Sequence, residues 1–249
     1  MTAEKSEIAT NLERLQEQIK RAAERAWRRA EDVTIVAVSK TFSFDAIRAA
    51  YDAGLRHFGE NRVQEWETKQ AHVADLRATW HLIGHLQGNK ARRAANLFGR
   101  VDSVDSLALA QKLDAAFVAE PGAKNAETNG AVSRNRLQVL IEVKSGDEAT
   151  KSGVQESDLP GLAESVTGFA HLELLGLMTI PPFLDDPEQL RPYFSRLREL
   201  RDDLARRLNL PLPVLSMGMS HDFEFAIEEG ATEIRIGTAL FGQRAPKPR

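Results

Sequence analysis

Eight short apolar segments, separated by stretches with helical spacing, constrain this 249-residue chain more than any other feature. They lie near residues 34–39, 57–60, 80–86, 100–103, 137–143, 172–179, 213–217 and 233–237. The first contains Thr34 to Val38 (TIVAV), apolar and rich in β-branched residues, as expected of a strand buried on both faces. Helix-like stretches fall between the strands, for example at 43–53, 62–77, 105–118, 187–208 and 222–229. Gly54 and Gly230 each follow such a stretch, where a left-handed C-cap favours glycine. No hairpin signal joins any two strands, so the alternation reads as parallel βαβ units. Eight units in this length predict an α/β fold, a single (β/α)8 TIM-type barrel. An open doubly wound sheet is the alternative, and the segment near 100–103 carries the weakest strand signal.

An additional N-terminal helix precedes the first strand. Ile8, Leu12, Leu15, Ile19, Ala22, Ala23 and Trp27 recur at steps of three and four and predict one apolar stripe. Residues 119–135 are polar and rich in Gly, Asn and Ala, and predict an exposed loop before the fifth strand. Residues 245–249 read as a frayed tail. With no repeat and no linker, residues 1–249 are expected to form one domain.

The 33 basic and 36 acidic residues leave a net charge of -3, which gives no electrostatic reason to expect nucleic acid or an anionic membrane as partner. The chain has no cysteine, so disulfides, thiolate metal sites and cysteine nucleophiles are excluded. The charged N-terminus lacks the apolar run of a secretory signal, and no segment is long and apolar enough to span a bilayer. A cytoplasmic protein is the expectation.

In a barrel of this kind the working face lies where strands hand over to the following loops. The polar residues there are Ser39 and Lys40, Glu60 and Asn61, His85, Ser216 to Ser220, and Arg235 to Thr238. Lys40 closes the first strand. A partly desolvated amine there favours its neutral, nucleophilic form, as Schiff-base chemistry requires. The plainer reading is a lysine that snorkels to the surface or pairs with a carboxylate such as Glu60. The loops after strands seven and eight are where barrels often bind phosphate. Gly218 and Gly237 would let backbone approach an oxyanion, and Ser216, Ser220 and Thr238 offer hydroxyls. Ser220 could instead be an N-cap. Arg235 interrupts the last apolar strand and points either at the site or into an ion pair with Glu233, two residues away on the same face. His81 and His85 lack the third ligand and the glutamate of a zinc helix, so no metal is expected. His57 and His81 are expected inside or near the barrel. Residues 145–153, which carry Lys151, read as a solvated loop near the site mouth. A lysine-based aldolase and a plain phosphate-binding module both remain open on these residues.

The motifs AVSKT (37–41), FGENRVQE (58–65), WHLIGHLQGNK (80–90), KSG (151–153), GLMTI (176–180), SMGMSHDFEFAI (216–227) and IRIGTALFG (234–242) occur in this order. With them the chain resembles, from about residue 8 to residue 243, the pyridoxal phosphate homeostasis protein family (YggS/PROSC), relatives of the alanine racemase N-terminal barrel. The resemblance implies pyridoxal 5'-phosphate (PLP) held as a Schiff base on Lys40, with Arg235 facing the pyridine nitrogen. It implies a phosphate cradle of Gly237, Thr238, Ser220 and Ser216, with Gly218 in the same turn and Asn61 beside the cofactor. An arginine at the pyridine nitrogen leaves that nitrogen largely unprotonated and the ring a weaker electron sink. Alanine racemase needs a second base, a tyrosine from another domain. Here only Tyr51 and Tyr193 exist, both in helix-like stretches, which disfavours a two-base racemase. The resemblance therefore implies a monomeric carrier that passes PLP to apo-enzymes, with a PLP-dependent racemase as the alternative. Lys144 stands where relatives often carry asparagine, and 119–135 looks like an insertion.

Overall fold

A computed structural model describes residues 3–118, 136–146 and 152–242. The 119–135 segment, Lys151 and the 245–249 tail lie outside the described residues. Eight parallel strands close into a barrel in sequence order: β1 (Thr34–Val38), β2 (His57–Glu60), β3 (Thr79–Leu82), β4 (Arg100–Val104), β5 (Leu137–Glu142), β6 (Leu172–Met178), β7 (Val214–Met219) and β8 (Glu233–Ile236). Pairing of β1 with β8, Val36 beside Arg235 and Ala37 beside Ile236, closes the ring and rules out the open sheet. The segment near 100–103 is a full strand, buried from end to end. Its polar residues face other polar groups, which is why its apolar signal is the weakest of the eight.

The helices are α1 (Ala3–Arg25), α2 (Phe44–Asp52), α3 (Val63–Lys69), α4 (Ala91–Leu97), α5 (Leu107–Val118), α6 (Leu159–Gly168), α7 (Arg191–Leu208), α8 (Phe223–Glu228) and α9 (Thr238–Phe241). Ser43 caps α2 by accepting the Ala46 N–H, and Gly54 and Gly230 take positive φ after α2 and α8, as their positions predict. The stripe of α1 packs Ile8, Leu12, Leu15, Ile19, Ala22 and Ala23 against the body, chiefly on α2, α8 and α9. Trp27 does not belong to it. The helix ends at Arg25, Trp27 turns into a left-handed conformation with φ 55°, and its side chain is 97% exposed.

The apolar residues form two populations. Most belong to one cluster between sheet and helices. Val36, Val38, Ile83, Leu140 and Met178 are buried apart from it, inside the barrel. Beneath them the lumen is polar. Arg100 on β4 reaches Glu233 on β8 at 2.6 Å, and those strands stand on opposite walls, so the contact crosses the lumen. Arg100 also holds Asp102 at 2.6 Å, Asp102 holds His81 at 3.2 Å, and His81 meets His57 at 3.0 Å. Ligand atoms of His81, Asp102 and Glu233 lie within 4.8 Å of one another, but the Arg100 guanidinium already occupies that charge cluster.

Candidate functional site

Lys40 lies two residues past the end of β1 and is half-buried. The residues flanking it are clamped. Ser39 Oγ donates to Glu60 at 2.8 Å, and Lys69 Nζ donates to Glu60, to the Ser39 carbonyl and to Glu65 at 3.1, 2.9 and 2.7 Å. Glu65 accepts the Thr41 N–H at 2.5 Å. Thr41 has φ 67°, a left-handed backbone unusual for a β-branched residue. The clamp holds the chain reversal that presents Lys40 at the rim. Burial raises the Glu60 pKa despite the pull of Lys69, whereas for Glu65 burial is outweighed by Lys69 and the Thr41 N–H, which lower it. Glu60 is thus engaged by Ser39 and Lys69, a role that reading Lys40 alone did not suggest.

Asn61 follows β2 at the same level of the rim, since Val38 pairs with Gly59. Its backbone is approached so closely by Gly84 that a Cβ there would lie 2.4 Å from the Asn61 carbonyl oxygen. His85 lies beyond the end of β3, is exposed, and pairs with Asp105 at 3.2 Å.

Arg235 is buried on the inner face of β8. It is not ion-paired with Glu233, which Arg100 takes instead. Its Nη1 donates to Ser216 Oγ at 2.8 Å and its Nη2 to the Thr179 carbonyl at 2.7 Å. Thr179 Oγ1 in turn donates to the Val143 carbonyl at 2.8 Å, so the guanidinium is oriented by the ends of β5, β6 and β7. Burial lowers its pKa, opposed by Glu233, Asp102, Glu142 and Asp222. An arginine still keeps its proton.

The loops after β7 and β8 are tied together. Ala239 N–H donates to Ser220 Oγ at 3.2 Å. Ser220 is therefore not the cap of α8, which starts after Asp222, itself an acceptor for the Met219 N–H. Gly237 precedes α9 beside Val38, and Thr238 is exposed in its first turn. Gly218 has φ 92°, and a Cβ there would meet Ala226 Cβ at 2.6 Å, so packing against α8 already demands glycine. Lys40, Asn61, Ser220, Arg235, Gly237 and Thr238 thus gather at the loop end of four neighbouring strands, β7, β8, β1 and β2, whereas Ser216, expected in the phosphate cradle, is buried within β7 with its hydroxyl on Arg235.

One group escaped the sequence reading. Glu142 ends β5 on the opposite wall, 5% exposed, and its Oε2 is a buried polar atom without a hydrogen-bond partner. Burial raises its pKa, Arg235 draws it down and Asp105 raises it, leaving it at about 7. Nothing in the local sequence LQVLIE distinguishes it from an outward-facing strand glutamate.

Residues 10–245 match the alanine racemase N-terminal domain family. The chain is 48% identical over 233 residues to the pyridoxal phosphate homeostasis protein of Aquifex aeolicus, covering 94% of this chain and 96% of that one. It is 46% identical over 239 residues to the protein of the same name from Pseudomonas aeruginosa, covering 96% of each. Among solved structures it is similar to PipY of Synechococcus elongatus with PLP bound, at 38% identity and a TM-score of 0.78, covering 94% of this chain and 100% of that one.

Proposed function

Because this chain belongs to the alanine racemase N-terminal domain family and within it to the pyridoxal phosphate homeostasis proteins, we propose that it binds PLP and buffers its supply in the cell, holding the aldehyde as a Schiff base on Lys40. The observation that carries the reading is the meeting, on one rim, of a strand-end lysine, a buried and fully oriented arginine, and two joined loops bearing hydroxyls. That donor set fits the cofactor. An amine suits its aldehyde, a guanidinium that cannot give up its proton suits its ring nitrogen as acceptor, and Ser220, Thr238 and the Gly237 backbone suit its phosphate. When bound, PLP supplies an electrophilic carbonyl conjugated to an electron-withdrawing ring.

The chain's own residues bind and orient. Ser216 and the Thr179 carbonyl fix the guanidinium plane, so Arg235 would meet the ring nitrogen of the cofactor already oriented. The Ser39, Glu60, Lys69 and Glu65 clamp fixes the turn that carries Lys40. Asn61 flanks the same rim. Tyr51 lies in α2 beneath the Arg56 guanidinium and Tyr193 in α7, both on the outer helix ring, which supports a carrier over a tyrosine-dependent racemase. We propose that the single domain 1–249 acts as a monomer in the cytoplasm and passes PLP to apo-enzymes. No helix among the described residues is long and apolar enough to cross a membrane.

The test is the absorption spectrum of the purified protein with PLP, followed by borohydride reduction and peptide mass mapping. A band lost on reduction, with a pyridoxyl adduct on Lys40 and no band in Lys40→Ala, is the expected result. A colourless protein that takes up no added PLP would overturn the proposal.

A further inference from the structure

We propose that Glu142 is a further ligand-binding residue of this site: from the wall opposite Lys40 it donates a hydrogen bond through its protonated carboxyl to an oxygen of bound PLP, so that binding takes up a proton. The inference rests on the cofactor reading and deepens it.

Three observations place Glu142 there. Leu140 belongs to the apolar group inside the barrel, and Glu142, two residues on, shares its face. β5 stands four strands from β1 in the closed ring, so the carboxyl and Lys40 approach the cavity from opposite sides. The guanidinium of Arg235 does not satisfy it, because the hydrogen bonds of Arg235 go to Ser216 and the Thr179 carbonyl. Oε2 is left buried and unmet, the only such side-chain atom among the described residues. A buried polar atom without a partner is costly, and it persists where something outside the chain meets it.

The chemistry selects the protonated form. Among the described residues, the charged groups that act on Glu142 are Arg235 from β8 and Asp105 from the segment after β4. Burial and Asp105 work against ionisation, Arg235 works for it, and the balance falls near neutrality. A phosphorylated ligand adds negative charge to the same cavity and tips the balance further toward the acid. The bound-state pKa then exceeds the free one. Affinity is full below the free value and is lost as pH rises through the bound value. Lys40 changes its own charge on binding, so the contribution of Glu142 is isolated by comparison with Glu142→Gln, which keeps a donor and cannot ionise.

The experiment is PLP titration of wild type and Glu142→Gln from about pH 6 to about pH 9, read by absorbance, with proton uptake measured by calorimetry in two buffers of different ionisation enthalpy. The two proteins are expected to bind equally at the acid end. Above neutrality the wild type should lose affinity relative to the variant by up to about tenfold per pH unit, and should take up more protons. Asp105→Asn provides a second handle: removing the like charge lets Glu142 ionise earlier, so the loss of affinity shifts to lower pH. Identical pH profiles and identical proton uptake in wild type and Glu142→Gln overturn the assignment of Glu142 alone. A wild type that binds no PLP at any pH overturns the cofactor reading and this inference with it.

Discussion

Thr41 shows how the site is held at the scale of single residues. Its left-handed backbone, at φ 67°, costs on the order of 1–3 kcal/mol for a residue with a Cβ, and Glu65 offsets this by accepting the strained N–H. Removing that acceptor exposes the cost. Glu65→Ala is expected to destabilise the protein by about 2 kcal/mol in urea denaturation, the range for a hydrogen bond to a charged group, and to weaken PLP binding by loosening the turn behind Lys40. An unchanged denaturation midpoint would mean that the turn holds itself. Lys40 and Arg235 were legible in the sequence because a lysine closes one apolar strand and an arginine interrupts another. Glu65, Lys69 and the partners of Glu60 were not, because surface-type charges in helices and at strand ends have no local mark of being partnered across a turn.

Among the elements, β7 and α8 depend on Gly218. It combines a positive φ of 92° with a contact of 2.6 Å between any added Cβ and Ala226 Cβ. Gly218→Ala is therefore expected to cost about 3 kcal/mol from backbone strain and overpacking together, measured as a fall in denaturation midpoint. A neutral substitution would show that the turn can rotate away from α8. The element pattern itself was largely legible: all eight strands and the long helices lie where periodicity puts them. The predicted helix over 62–77 ends early, with α3 stopping at Lys69 and a 3-10 turn following at residues 70–72. The stretch predicted over 187–208 begins as a 3-10 turn at 187–190 before α7. Short helices such as α4 and α9 span too few residues for a period of 3.6 to stand out.

For the whole molecule, the lumen network sets the response to acid. Burial and the neighbouring His81 lower the pKa of His57 from 6.5 to about 4, so the folded state keeps it neutral where the unfolded chain would protonate it. A group with a depressed folded pKa contributes stability above its unfolded value, lost as pH falls through the folded one. For His57 that window runs from 6.5 to about 4. The loss amounts to at most about 3 kcal/mol, since each pKa unit is worth about 1.4 kcal/mol. Asp102 extends the same trend to lower pH. Burial alone would raise its pKa, but Arg100 and His81 outweigh that and hold it below the ordinary carboxylate range. Stability measured by thermal unfolding should therefore fall from neutral pH toward pH 4, and His57→Asn should flatten the upper part of the fall. A wild-type curve flat over that interval would count against a neutral His57.

By itself the sequence determined the eight alternating parallel strand–helix units and the strand-end positions of Lys40, Asn61, Ser220 and Arg235, while closure of β1 on β8 into a ring was decided by the fold. The units and the positions follow from local periodicity and from the rule that loops after strands carry function, and both are visible along the chain. Tertiary structure alone decided the partners. Glu233 answers to Arg100 from the opposite wall, Arg235 to Ser216 and Thr179, and the Oε2 of Glu142 to no hydrogen-bond partner among the described residues. Closing eight strands into a ring brings residues more than a hundred positions apart within hydrogen-bond distance. Burial then fixes how strongly each charge must be answered, and neither effect leaves a trace in the spacing of residues along the chain.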